Sequence, residues 1–224
     1  MLTARKNILI EKIFAVYNNI LIRRRFNGLR VQGLTQIKNK LHTPLIIYGN
    51  HSCWWDGLIA FELSRKLKLD SYIMMEEKNL RKLFLFRKLG AFSVKRESPR
   101  EAVASLNYAV KILRQKPQRA LWIFPQGEIL PNDIRPVHFY NGISRIIGKL
   151  PQSQVVPVAM RFEFLDDYKP DIFIKVGSVQ NFSGGKDFES KKTTGRLAET
   201  LTENLDELKK EITAKNFGNF EKLI

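Results

Sequence analysis

Cysteine is nearly missing from this chain: Cys53 is the only one in 224 residues. An internal disulfide is therefore excluded, and nothing points to an oxidising compartment. Histidine is scarce too, with three in all. No Cys/His cluster has the spacing of a zinc site. Long apolar runs are also absent. The best stretch, Ile13 to Ile22, is about half as long as a spanning helix requires. Glu11-Lys12 precedes it, Arg23-Arg24-Arg25 follows it, and no small-residue cleavage site appears, so it does not read as a signal peptide. The expectation is an intracellular protein. Acidic residues are outnumbered, 22 against 38 Lys and Arg, which leaves a formal charge of +16. That balance calls for an anionic partner: nucleic acid, an anionic membrane surface or a phosphorylated substrate. Repeats and low-complexity segments are absent.

What is present is material for a core. Apolar residues make up 44% of the chain, which excludes disorder. The length suits one sizeable α/β domain, or at most one domain with a small appendage. Residues 2 to 26 read as an amphipathic basic helix. Its apolar set is Ile8, Leu9, Ile13, Phe14, Val16, Tyr17, Ile20 and Leu21; its cations are Arg5, Lys6, Lys12 and Arg23 to Arg25. Such a helix either lies among lipid headgroups with its cations near anionic lipid, or packs on the domain with its charges solvated. Asn27-Gly28 ends it.

Beyond it, apolar strands alternate with helices. Strands are expected at Arg30 to Leu34, Leu45 to Tyr48, Tyr72 to Met75, Gly90 to Arg96, Ala120 to Phe124, Val155 to Met160 and, as the last, Asp171 to Val176. Pro157 disfavours a central hydrogen-bonded place for its strand. Leu80 to Leu89 reads as a helix whose apolar residues nearly surround it, mixed with Lys78, Arg81, Lys82, Arg87 and Lys88. That mixture suits an acyl-chain channel or a membrane contact, or else a core helix with snorkelling cations. Ser98 (N-cap), Pro99 and Glu101 start a helix with Val103, Leu106, Val110 and Leu113 inward, stopped by Pro117. A helix follows from about Phe139 to Leu150, and a polar one with Leu197, Leu201, Leu205 and Leu208 closes the domain. The economical fold is α/β: a single domain over 29–224 with a largely parallel central sheet flanked by helices, preceded by the N-terminal amphipathic helix of residues 1–28.

Three polar turns follow apolar strands, at His51, at Arg96 and at Pro125. In a parallel sheet they gather at one edge, where open α/β sheets bind ligands. The first, His51-Ser-Cys-Trp-Trp-Asp56, sits where a strand gives way to a helix. A carboxylate this close can fix an imidazole tautomer, leaving the other nitrogen to take a proton from a hydroxyl. A His-x4-Asp pair alone is short enough to arise by chance; the two neighbouring turns give it company.

Taken in order, these segments resemble the glycerolipid acyltransferase family, which contains the lysophosphatidate acyltransferases. His51 to Asp56 matches its His-x4-Asp block. Gly90 to Arg96 is similar to Gly-x-Ile-Phe-Val-Asp-Arg, with Arg96 on the arginine. Phe124-Pro-Gln-Gly-Glu128 resembles Phe-Pro-Glu-Gly-Thr-Arg-Ser, Val155-Val-Pro157-Val resembles the fourth block, and Lys78-Asn-Leu80 is similar to the Lys-Glu-Leu before the second. The resemblance implies acyl transfer from acyl-CoA or acyl carrier protein to a hydroxyl of a lysophospholipid or related lipid. His51 would be the general base, worth about 10²–10⁴-fold, and Asp56 its orienter. No metal or cofactor is implied beyond the acyl carrier, and the protein would sit peripherally on the cytoplasmic face of the membrane. Substrate contacts would fall at Lys78, Lys95, Arg96, Pro125, Gly127, Glu128 and Arg135. The chain departs from the pattern where the acceptor headgroup is read: Gln126 for Glu, Glu128 for Thr, Ile129 for Arg and Lys95 for Asp. Arg135, or Lys95 with Arg96, would then supply the anion contact. A glycolipid or a glycosylated isoprenoid remains open as acceptor.

Other readings concern single residues or the charge. Cys53, two residues from His51, could be a nucleophile if its pKa were lowered, or a small packing residue. Trp54 and Trp55 pack or line an acyl pocket. His42 and His138 have no partner in the sequence pattern. A nucleic-acid-binding module without catalysis fits the charge, but the cations are scattered and no nucleic-acid-binding motif appears.

Overall fold

The computed structural model describes residues 1–38, 43–116 and 119–224; His42 and Pro117 lie outside the described residues. In chain order the elements are α1 (Ile8–Arg25), β1 (Gly28–Gln32), α2 (Thr35–Lys38), β2 (Leu45–Gly49), α3 (Trp55–Lys66), β3 (Asp70–Glu76) and α4 (Glu77–Lys82). A 3-10 segment (Phe84–Leu89) leads to β4 (Ala91–Val94), α5 (Pro99–Gln115), β5 (Arg119–Ile123), α6 (Gly142–Gly148) and β6 (Gln152–Glu163). The chain ends with β7 (Asp171–Val176), β8 (Gln180–Ser183), α7 (Ser190–Thr213) and β9 (Glu221–Lys222).

Among the described residues the strands form one sheet in the order β4-β3-β5-β2-β6-β7-β1-β9, with β8 on β6. The β2 strand runs parallel to β5 and β6, β3 parallel to β4 and β5, and β1 parallel to β7. Antiparallel pairs are β6 with β7 and β8, and β1 with β9. Every residue of β2 is buried, as expected of a central parallel strand covered on both faces. Alternate side chains feed two cores. Ile46, Tyr48, Leu121 and Ile123 face α5, α6 and α7; Leu45, Ile47, Ala120 and Trp122 face α3 and the end of α1. The buried Trp122 indole donates to Ser64 Oγ at 2.8 Å.

The single-domain α/β expectation holds, and so does the start of α5, where Ser98 Oγ accepts from Glu101 N. Four local expectations are corrected. Pro157 lies in a central strand, because its acceptor side faces β7, through Pro157 O and Gly177 N at 2.9 Å. The side lacking an N–H therefore meets the gap between the β8 ladder, which ends at Val155, and the β7 ladder, which begins at Val158. Residues 80–89 are not one helix: the chain leaves the α-helix at Leu83 (φ −106, ψ 50). The break lets Leu80, Phe86 and Leu89 all turn inward, which one straight helix with this spacing cannot do. Asp171 to Val176 is not the last strand, since the short polar β8 and the two-residue β9 carry no apolar run to announce them. Val103 is exposed on the outer side of the first turns of α5, while Leu106, Val110 and Leu113 are buried.

Helix α1 is docked on the domain. Phe14, Ala15, Asn18 and Ile22 are buried. Asn18 Nδ2 donates to Leu58 O at 3.2 Å, and Asn19 Nδ2 to Glu62 at 3.3 Å. Its opposite face leaves Ile8, Leu9, Ile13, Val16, Tyr17 and Ile20 exposed. The apolar residues thus divide between two faces instead of forming one stripe. No helix among the described residues is long and apolar enough to cross a membrane.

Candidate active site

Because β2, β3, β4 and β5 run parallel, the turns after β2, β4 and β5 emerge on one edge of the sheet. The chain leaves β2 through Gly49, where an added Cβ would lie 3.0 Å from Val158 O. Asn50, buried, then extends the ladder with its side chain: Met160 N donates to its Oδ1 at 2.8 Å and its Nδ2 donates to Met160 O at 2.9 Å. With the sheet contact taken over by an amide, the main chain is free to turn outward. The turn is clasped to the one after β5, since His51 N donates to Gln126 Oε1 at 2.8 Å. Leu130 N in turn donates to His51 O at 2.8 Å.

Asp56, fully buried in the first turn of α3, gathers this turn around one oxygen. Its Oδ2 accepts from Ser52 N at 2.7 Å and Cys53 N at 2.9 Å, and lies 2.8 Å from His51 Nδ1. A carboxylate accepts only, so His51 donates from Nδ1 and leaves the Nε2 lone pair free. The ring is 23% exposed and stacks on Phe124 at 4.8 Å between centroids. Cys53 Sγ donates to Asp56 Oδ1 at 3.4 Å. Burial, and then the Asp56 charge, push that thiol up to about 12. It is a protonated packing group, not an activated nucleophile.

His51 opens on a cavity of about 960 Å³. The strand β3 pairs β5 only as far as Ile73 and Trp122, then keeps β4 alone. The cavity lies where the strands part and reaches both faces of the sheet. Towards α1 and α3 its wall is Phe14, Leu58, Phe61, Leu83 and Phe86; towards α5 and α6 it includes Leu106, Tyr140, Ile143 and Arg145. Arg96 lines it with its guanidinium 5.2 Å from the Tyr140 ring and 3.9 Å from Glu76. Gly127 takes a left-handed backbone conformation (φ +72) that favours glycine, and Arg96 Nη1 lies 2.6 Å from where its Cβ would be.

Of the residues singled out in the sequence, His51, Arg96, Pro125, Gly127 and Glu128 stand together on the cavity wall. Asp56 lies buried behind His51, and the remaining three, Arg135, Lys95 and Lys78, do not line it either. Arg135 pairs with Asp206 of α7 and donates to Asn132 O at 2.7 Å. Lys95 turns back onto Glu101 at 3.0 Å, and Lys78 lies exposed on α4. Exposed His138 lies off the wall, while exposed Trp54 is on it. Lys82, named in the stretch that suits an acyl-chain channel, lines the cavity with Leu83, Phe86 and Leu89. Sequence reasoning missed Gln126 as the clasp, and Arg145 and Phe14 as wall residues. Gln126 carried a signal, since it replaces an acid inside a recognised turn; the other two carried none. No group of three His, Cys, Asp or Glu suited to a metal ion occurs among the described residues.

A family model described as Acyltransferase matches residues 28–161. That span runs from β1 into β6 and holds all three turns. No curated protein matches the chain significantly.

Proposed function

The chain belongs to the acyltransferase family, and from that premise we propose that it moves a fatty acyl group from an acyl thioester to a lipid hydroxyl. The donor is carried by CoA or acyl carrier protein; the acceptor is a lysophospholipid or a related lipid. His51 Nε2 takes the hydroxyl proton as the oxygen attacks the thioester carbonyl. Asp56 holds Nδ1–H and stabilises the imidazolium. The tetrahedral intermediate then expels the thiolate, which takes the proton back from His51. Ester and free thiol leave, and the enzyme returns unchanged.

The carrying observation is that the His51–Asp56 pair opens on a large, mostly apolar cavity with cations at its polar end. The lobe towards α1 and α3 suits the acyl chain. Arg96, Arg145 and Lys82 suit a phosphate on the acceptor or the carrier. The outer face of α1, with exposed Lys12 and Arg23 to Arg25, suits an anionic membrane surface and so a peripheral place on the cytoplasmic face. A second reading, with a glycolipid as acceptor, is favoured by Glu128, Asn79 and Asn141 on the same wall. Carboxylate and amides accept from sugar hydroxyls, and a carboxylate repels phosphate.

The test is thiol release from acyl-CoA and from acyl carrier protein, with lysophospholipid, glycolipid and no acceptor, and products identified by mass. One class of acceptor should give ester equal to thiol released. Thiol release that never depends on a lipid acceptor would end the proposal.

A further inference from the structure

Phe14 belongs to α1, outside the matched residues 28–161, yet it lines the same cavity as His51. It is 8% exposed. Its ring meets Phe61 of α3 edge-on at 5.1 Å and Phe86 of the 3-10 segment at 5.8 Å, and both also line the cavity. The wall follows α3 away from the pair: Gly57 adjoins Asp56, and Phe61 comes one turn later, about 6 Å on at 1.5 Å per residue. Beyond Phe14 lies the exposed outer face of α1, so the ring stands between the cavity and the outside. Its position is held. Arg5 N and Asn7 N donate to Arg87 O at 2.8 Å and Lys88 O at 2.9 Å, Arg87 Nε donates to Thr3 O at 2.8 Å, and Asn18 is tied to Leu58.

We propose that Phe14 closes the acyl end of the cavity and sets the longest chain the protein accepts. The N-terminal helix then contributes to specificity as well as to surface attachment. The inference rests on the acyl-transfer reading above, but its test does not need turnover. Trp54 and Trp122 line the cavity, so their fluorescence reports occupation by non-hydrolysable alkyl-thioether analogues of CoA, from octyl to octadecyl.

For the wild type, affinity should rise about 4-fold per methylene, the worth of one buried CH₂, and then stop rising at a limiting length. Phe14→Ala and the milder Phe14→Leu, each checked for folding by circular dichroism, should move that limit to longer chains. An unmoved limit in either folded variant, or no length dependence in the wild type, overturns the proposal. A limit that moves in a protein that never transfers acyl groups would leave the ruler standing and remove the reaction. Transfer that needs His51 with an unmoved limit would do the reverse.

Discussion

Asp56→Asn replaces one oxygen and removes one charge, and the geometry says which oxygen stays. Three donors converge on Oδ2: Ser52 N at 2.7 Å, His51 Nδ1 at 2.8 Å and Cys53 N at 2.9 Å. The two main-chain N–H groups cannot accept, so the asparagine oxygen must take the Oδ2 place. Its NH₂ goes to the Oδ1 side, beside Cys53 Sγ. His51 therefore keeps its tautomer, and the loss is electrostatic. An imidazolium–carboxylate pair at this separation is worth roughly 6 kcal/mol at an effective dielectric of about 20. The retained amide dipole and water at the part-exposed ring return some of it. A net loss of roughly 3–4 kcal/mol lowers kcat by about 10²–10³-fold and leaves KM unchanged. Asp56→Ala instead leaves three donors without their acceptor, at about 1–3 kcal/mol each where buried. Steady-state thiol release with thermal melting checks both: Asn should lose rate and keep Tm, and Ala should lose both. A wild-type kcat in the Asn variant would refute the reasoning. A loss well beyond about 10³-fold would show that the amide had turned and taken the tautomer with it.

Arg96→Ala or Arg145→Ala should raise KM for a phosphorylated substrate by about 10-fold, a lost charged hydrogen bond. Arg135→Ala should not, because that side chain is held by Asp206; KM values measured in parallel decide. Cys53 titrates at about 12, so less of it is thiolate at any pH below that than in the unfolded chain. Alkylation by iodoacetamide at the ordinary thiol value of 9.0 should thus be slower in the native protein, and equal rates would contradict the burial. Ile13→Asp with Val16→Asp places charge on the outer face of α1 and should weaken sedimentation with anionic vesicles while Tm holds; unchanged sedimentation would remove that face from the membrane.

The pattern of apolar strands and helices carried the sheet, because buried parallel strands such as β2 leave an uninterrupted apolar signature. It failed at Pro157, since a sequence does not say which neighbour a missing N–H faces. It failed at β8 and β9, whose polar residues pair only because the rest of the sheet is already there. The turn at His51 was legible because both partners lie within one turn of chain. Arg96 and the glycine turn were legible because each follows an apolar strand of a parallel sheet. Arg145 and Phe14 reach the cavity through helix packing, which leaves no local mark. Arg135 is a cation near the right turn in sequence, yet α7, far along the chain, supplies its partner.

The claim at the centre is that His51 removes the proton from a lipid hydroxyl. The most direct measurement is acceptor-dependent thiol release by wild type and by His51→Ala, both saturated with the same thioester and lipid. The variant's rate should fall by about 10²–10⁴-fold with binding of the alkyl-thioether analogue unchanged. A His51→Ala protein that still releases thiol at the wild-type rate, only when acceptor is present, would contradict it.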